Sequence, residues 1–370
     1  MPAAPKPTAA LTEKLDETLL WLCKIPSPIG EEKRICDAVE ARLRKVPRVG
    51  KVLRAGNSVV APLAAREPRP DGKAWPRIAL VGHLDTVRTE NGEPRLEGGR
   101  CYGSGASDMK SGLAVMLVLA ETVPASALGC DLTLVFYARE EGPFAENELG
   151  DVLEKCPELS TLDLAVCMEP SDNKLHLGCN GSIHASVTFE GKTGHSSRPW
   201  EGKNAIHAAA GFLAELGARA PRESLIDGLV YRTVTSATQA RDGGRGRNVV
   251  PDRFVVNVNH RFAPSTSMED AEREVLDLVG DRARVELTDL SPAAPPNRSH
   301  PLVGALLAAG AVGVEPKQAW TDVARFAAKG VAAVNFGPGE NAQAHQKNES
   351  TSTALVHEGY VIVEKWLTSM

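Results

Sequence analysis

Two histidines and four acids stand apart as a potential cation-binding set: His83, Asp108, Glu140, Glu141, Glu169 and His345. Imidazole nitrogen and carboxylate oxygen are donors that zinc accepts readily. None of the six is telling alone. A histidine after a strand commonly makes a structural hydrogen bond, and an acidic pair such as Glu140-Glu141 commonly faces water. The flanks give them weight. Asp85 stands two residues after His83, where its carboxylate can hold the distal ring nitrogen and orient the ligand. Asp108 lies in Gly103-Ser104-Gly105-Ala106-Ser107-Asp108-Met109-Lys110-Ser111-Gly112, a run of small residues that brings backbone close to a shared centre. Its carboxylate can give one oxygen to each of two cations. A dinucleotide fingerprint opened by Gly103-x-Gly105 is the competing reading. It fails because Asp108 occupies the place of the third glycine.

Such residues need elements to carry them. Ile78-Ala79-Leu80-Val81 is an apolar run ending in Gly82-His83, as a buried strand opening into a loop does. Leu132 to Tyr137 ends at Glu140-Glu141, Leu164 to Met168 ends at Glu169-Pro170, and Val331 to Phe336 is followed by Gly337-Pro338-Gly339. Helices are expected around Leu11 to Leu22, around Ile35 to Leu43, and over Ser111 to Thr122. Strands ending in polar residues and separated by helices predict an α/β sheet with a ligand site at its carboxyl edge. Residues 183–291 read differently. Strands at His184 to Glu190, Arg253 to Phe262 and Ala283 to Leu287, with helices at Asn204 to Leu216 and Met268 to Val279, suggest a βαββαβ-like α+β insert. Ser291 to Pro296 is proline-rich and suits a return linker; Ala61 to Pro70 and Arg241 to Arg247 read as loops.

Composition narrows the function further. A chain of 370 residues suits two domains of ordinary size, and a net charge of −5 argues against a general nucleic-acid binder. No apolar run approaches the ~18 residues of a membrane span. Met1-Pro2-Ala3-Ala4-Pro5 lacks the features of a secretory signal and reads as a short disordered leader. Seven cysteines, odd in number and without CxxC spacing, read as reduced thiols of a cytoplasmic protein.

The motifs taken together resemble a known family. His83-x-Asp85, Gly105 to Gly112, Glu140-Glu141, Glu169-Pro170, Gly194-His195-Ser196-Ser197 and Ala344-His345-Gln346-Lys347-Asn348-Glu349 are similar, in order, to the acetylornithine deacetylase and succinyl-diaminopimelate desuccinylase family of metallopeptidases. The resemblance runs from about residue 12 to the end. It implies a zinc-exopeptidase-like catalytic domain over 1–182 and 292–370, α/β with a central mixed sheet flanked by helices. It implies that 183–291 is an inserted ferredoxin-like α+β dimerisation domain, and hence a homodimer. Two zinc ions per subunit are implied, with cobalt able to replace them. In this pattern His83 and Glu169 hold one ion, Glu141 and His345 the other, and Asp108 bridges. Glu140 is the implied general base, Asp85 the residue orienting His83, and His195 the donor that stabilises the oxyanion in the partner subunit's site.

Three stretches are similar to the desuccinylase branch. Val255 to Pro264 carries Arg261 as an implied substrate ligand, and Arg247 to Pro251 carries Asn248. Trp320 to Phe326 with Asn335 to Gly339 brings Thr321 and Gly339, followed by Asn341. A planar guanidinium suits the carboxylates of such a substrate; Arg198 and Arg325 are further candidates. The implied reaction cleaves a small N-acyl amino acid, N-succinyl-LL-2,6-diaminopimelate, to succinate and LL-2,6-diaminopimelate, a step of lysine and cell-wall precursor synthesis. Two stretches depart from the pattern: Cys179-Asn180-Gly181-Ser182 lacks the arginine common before Gly-Ser, and Gly142 to Gly150 has glutamate where glycine is common. The alternatives are an acetylornithine deacetylase, a metallo-exopeptidase, or a metal-binding protein without turnover. Arg241-Asp242-Gly243-Gly244-Arg245-Gly246-Arg247 as an RNA-binding tract is one short loop in an acidic chain, and a lid loop suits it better.

Overall fold

The computed structural model describes residues 7–63, 69, 72–243 and 246–370. The Met1–Pro5 leader, most of the Ala61–Pro70 patch, and Gly244 and Arg245 of the arginine-glycine loop lie outside the described residues. The chain divides into two compact units. One comprises Met1–Gly178, Pro296–Glu315 and Arg325–Met370; the other comprises Cys179–Pro295 and Pro316–Ala324.

The first unit is built on an eight-stranded mixed sheet. From one edge its strands are Leu53–Ala55, Ser58–Pro62, Asp131–Tyr137, Arg77–His83, Leu164–Cys167, Ala333–Asn335, Leu175–Leu177 and Val314–Pro316. The four central strands, Asp131–Tyr137 to Ala333–Asn335, run parallel, and antiparallel pairs flank them. Near-continuous apolar runs are what strands covered on both faces require, and Ile78, Ala79, Leu80 and Val81 are all fully buried. Helix Lys110–Thr122 is buried from Lys110 through Ala120. It packs against helices Ala9–Cys23 and Thr353–Thr368 and against strand Arg77–His83. Gly112 makes this approach possible, since a Cβ there would lie 2.4 Å from the Met168 carbonyl oxygen. The late strand is shorter than its apolar run suggests, only Ala333–Asn335.

The second unit is an antiparallel five-stranded sheet in the order Arg222–Ile226, Leu229–Asp242, Arg253–Phe262, Gly181–Glu190, Arg284–Ser291. Helices Ala205–Ala218 and Met268–Val279 supply Phe212, Ala209, Val275 and Val279 to a core shared with Val187, Phe189, Val256 and Val258. Asn204 caps the first helix and Ser267 the second, each side chain accepting backbone N–H groups of the first turn. Two strands of this sheet were not expected from sequence. The hairpin joining them turns at Asp227-Gly228, both at positive φ (49° and 75°). No described helix is long and apolar enough to cross a membrane. All seven cysteines are buried and unbridged.

Candidate metal centre

The carboxyl ends of the central strands deliver the predicted donors to one place. His83 closes strand Arg77–His83, and Glu169 follows strand Leu164–Cys167 by two residues. Glu140 and Glu141 follow Asp131–Tyr137. Asp108 lies just before helix Lys110–Thr122, and His345 comes from the loop after Asn341–Gln343. Donor atoms of His83, Asp108 and Glu169 all lie within 4.8 Å of one another, and so do those of Asp108, Glu141 and His345. Asp108 is common to both groups. Glu140 joins His83 and Glu141 in a third such group.

The contacts inside this cluster call for positive charge. The Nδ1 of His83 donates to the Asp85 backbone carbonyl at 3.0 Å, and Nε2 lies 3.2 Å from Asp108 Oδ1. A neutral ring protonated on Nδ1 has only a lone pair at Nε2. Facing a carboxylate, that lone pair is repulsive unless a proton or a cation stands between. Burial pushes the imidazole down, but hydrogen bonding to Asp108 and the charges of Asp85, Glu169 and Glu140 outweigh it and hold His83 well above its ordinary value. His345 Nε2 lies 2.9 Å from Glu141 Oε1 and 3.6 Å from Asp108 Oδ2. The Glu141 hydrogen bond raises it to about 9. Burial in turn raises Glu141. Four carboxylates and two imidazoles therefore fit a pair of divalent cations by donor type and by charge. The histidines differ in setting: the His83 side chain is 1% exposed and the His345 side chain 53%. His345 sits at positive φ (60°), in the left-handed region that histidine enters more readily than most residues with a Cβ.

The other predicted residues are divided between the units. Gly339 and Asn341 belong to the first. A Cβ on Gly339 would lie 2.2 Å from the Ser107 carbonyl oxygen, so this loop packs directly on the segment leading to Asp108. Arg325 is buried, with its guanidinium 3.8 Å from the Phe144 ring and donating to the Phe144 carbonyl, a packing role. In the second unit, Gly194-His195 pairs with Val249-Val250, and Ser196 N–H donates to the Asn248 carbonyl at 2.9 Å, which brings His195 and Asn248 together. His195 is exposed. Its Nδ1 meets the Ser197 N–H at 3.1 Å and the Ser197 hydroxyl at 2.7 Å. Nδ1 is thus an acceptor, and a neutral ring carries its proton on Nε2. Arg261 donates Nε–H to Asn259 Oδ1 at 2.9 Å, and Asn259 is held by Ser182, Ile183 and His184. The guanidinium makes no ion pair among the described residues, and burial lowers its pKa. Thr321 has a buried hydroxyl with no hydrogen-bond partner among the described residues. Exposed Arg198 lies 3.6 Å from Glu201.

Residues 79–369 match the model of peptidase family M20/M25/M40. The chain belongs to that family. Among its M20 relatives, a Mycobacterium tuberculosis protein assigned as succinyl-diaminopimelate desuccinylase DapE is 38% identical over 348 residues, 94% of this chain and 96% of that protein. The succinyl-diaminopimelate desuccinylase of Corynebacterium glutamicum is 36% identical over 355 residues, 94% of each chain. An M20 family metallo-carboxypeptidase of Sulfolobus solfataricus shares the fold, with a TM-score of 0.76 at 17% identity over 96% of this chain and 98% of that one.

Two features of this M20 site were not visible in the sequence. The Asp85 carboxylate lies 3.7 Å from His83 Nδ1 and does its hydrogen bonding elsewhere: it accepts the backbone N–H groups of Glu140 at 3.0 Å and Glu141 at 2.9 Å. The ring is held by the backbone carbonyl of the same residue. Asp85 therefore fixes the acidic pair as well as the histidine. The second feature is Glu349, whose carboxylate accepts three backbone N–H groups around Asp108. Burial raises it to about 7, although those three bonds favour its ionised form.

Proposed function

We propose that this chain hydrolyses N-succinyl-LL-2,6-diaminopimelate to succinate and LL-2,6-diaminopimelate, with two divalent cations as cofactors. The observation that carries the reading is the cluster itself: two donor groups sharing Asp108, with Glu140 beside them. The substrate is supported by relatives that bear this activity in their names and align over 94% of the chain. His83, Asp108 and Glu169 would hold one cation, and Asp108, Glu141 and His345 the other. The donor types favour zinc, with cobalt able to replace it.

When bound, the pair supplies Lewis acidity that polarises the amide carbonyl and acidifies water. The protein's own groups do the rest. Glu140 takes a proton from the attacking water as its oxygen bonds to the succinyl carbonyl carbon. It returns that proton to the nitrogen as the C–N bond breaks, so the amine leaves neutral. His195 donates its Nε2 proton in a hydrogen bond to the oxyanion in a partner subunit's site. Arg261, whose guanidinium makes no ion pair among the described residues, grips a substrate carboxylate; Asn248, Thr321, Gly339 and Asn341 are the other substrate contacts of this reading.

A homodimer suits the second unit. Its Ala-rich helix Ala205–Ala218 leaves Ile206 39% exposed, and its edge strand Arg222–Ile226 leaves Leu225 75% exposed, an apolar face and an open sheet edge on one unit. Seven unbridged thiols suit the cytoplasm. The reading is tested by assaying zinc-loaded protein against N-succinyl-LL-2,6-diaminopimelate, N-acetylornithine and dipeptides. The succinyl substrate should be turned over with by far the highest kcat/KM. Preference for acetylornithine or a dipeptide moves the chain to another M20 activity, and turnover of none leaves a metal-binding protein.

A further inference from the structure

We propose that Glu349 is a positioning residue of the metal centre: its buried carboxylate gathers the backbone around Asp108 and so sets where the shared aspartate stands. This deepens, and rests on, the two-cation reading above. Glu349 is 2% exposed. Its Oε1 accepts the N–H groups of Ser107 and Asp108, both at 2.8 Å, and its Oε2 accepts that of Gly105 at 2.8 Å. Both oxygens are therefore engaged by backbone, and Glu349 is not itself a cation ligand. Three donors converging on one carboxylate offset part of the cost of burying it.

The main chain of Glu349 is tied down as well. Its N–H donates to Asn91 Oδ1 at 2.8 Å, and its carbonyl accepts the Gly103 N–H at 3.0 Å. The next residues, Ser350–Ser352, pair with strand Arg100–Tyr102. Glu349 follows His345 by four positions. One residue thus links the loop carrying the shared aspartate to the segment carrying the exposed histidine.

The Asp108 loop needs such a support. Gly103, Gly105 and Ala106 have no polar side chains to anchor it, and Gly105 is at φ 77°, a conformation that favours glycine. Besides Glu349 the loop is held by main-chain bonds within its own segment, Ala106 N–H to the Gly103 carbonyl and Lys110 N–H to the Gly105 carbonyl. Ser107 contributes one hydroxyl bond, to the Glu340 carbonyl at 2.8 Å. An aspartate that serves two donor groups tolerates little displacement, because a shift of its backbone mis-sets both oxygens together.

The test is zinc binding in Glu349→Gln and Glu349→Asp, made in the full chain. Glu349→Gln keeps the volume but turns an acceptor into an NH2 group facing N–H donors; Glu349→Asp keeps the charge but shortens the reach. Zinc per chain is measured by elemental analysis after dialysis, and Kd by competition with a chromogenic chelator. The wild type should retain two zinc ions. Glu349→Gln should lose at least one and bind zinc on the order of 10- to 100-fold more weakly, with Glu349→Asp between. Wild-type stoichiometry and Kd in both variants overturn the inference. So does a change confined to the melting temperature of the metal-free protein, which is what a merely structural carboxylate predicts. If Glu349→Gln does not fold, Glu349→Asp decides alone by the same criteria. A wild type that fails to hold two cations sinks the two-cation reading itself, a result distinct from any behaviour of the variants.

Discussion

The two units handle charge in opposite ways. In the first, four carboxylates and two imidazoles are crowded until donor atoms from three residues at a time lie within 4.8 Å, an arrangement that is incomplete without added positive charge. In the second, the side chains around Arg261 are joined through amide, hydroxyl and imidazole groups, and ion pairs such as Arg232–Glu223 and Arg222–Glu274 involve the edge strand. His184 meets the side-chain amides of Asn257 and Asn259 at 3.1 Å each, and Asn259 accepts from Arg261. Among the described residues, the guanidinium termini of Arg261 and the Nε2 of His195 have no hydrogen-bond partner. A site starved of cations can host bond breaking, and a surface left with spare donors can choose and hold an anionic substrate. The division of labour follows: variants in the first unit should act through metal or kcat, and variants in the second should leave the metals alone.

The largest effect belongs to Glu140. Glu140→Ala should keep two metals per chain by elemental analysis while kcat falls by about 10²- to 10⁴-fold, the range expected for losing a general base. A variant that loses a metal instead makes Glu140 a ligand and blurs the separation within the first unit. His195→Ala comes next. It should fold, bind two metals and lose roughly 10²- to 10³-fold in kcat, as removal of an oxyanion donor does. Wild-type kcat there would mean that the second unit contributes no group to the chemistry.

Protons should compete with metal in the first unit. The carboxylates around them raise His345 to about 9 and hold His83 well above its ordinary value, so the metal-free cluster favours protonated imidazoles. A cation must displace those protons before taking the nitrogens. Binding therefore releases protons, and affinity falls as pH falls, by about tenfold per pH unit for each proton displaced. Calorimetry at pH 7 in buffers of different ionisation enthalpy should count close to two protons released. A count of zero would mean the histidines are already neutral, and the charge argument for that unit fails.

How much of this was legible beforehand depended on whether a feature leaves a mark in residue type. The central strands did, because apolar runs such as Ile78-Ala79-Leu80-Val81 stop abruptly at polar residues, and the donors stand at those stops. Strand Leu229–Asp242 did not. Its outer half, from Ser236 onward, is exposed and mostly polar and reads as a loop, while the strand signal is confined to the β-branched and aromatic residues of Leu229 to Thr235 after the Asp227-Gly228 turn. Glu349 was visible only as part of a motif, because it acts on backbone N–H groups, which every residue but proline possesses. Asp85 was expected to hold the ring of His83 by its side chain, and the structure gives that task to its backbone carbonyl. Roles played by or upon main chain are invisible to a reading based on side-chain chemistry.

Arg261→Ala should produce the smallest change, and the most diagnostic one for the second unit. The guanidinium is half-buried, its Nε is fixed by Asn259, and it makes no ion pair among the described residues. A carboxylate arriving there gains a charge-assisted hydrogen bond without displacing an internal partner. Water reaches the site and competes, so the loss should be about tenfold in KM for the succinyl substrate, near the low end of what a hydrogen bond to a charged group contributes. kcat and zinc content should be unchanged, because no metal donor is touched. Arg261→Lys should restore the charge but only part of the affinity, since an ammonium cannot reproduce the planar two-pronged contact. The decisive measurement is the ratio of kcat/KM for N-succinyl and N-acetyl forms of the same amine. That ratio should fall in Arg261→Ala if the guanidinium reads the succinyl carboxylate. If both substrates weaken equally, Arg261 reads the amino-acid end, and if neither weakens, recognition of the anion lies elsewhere in the protein.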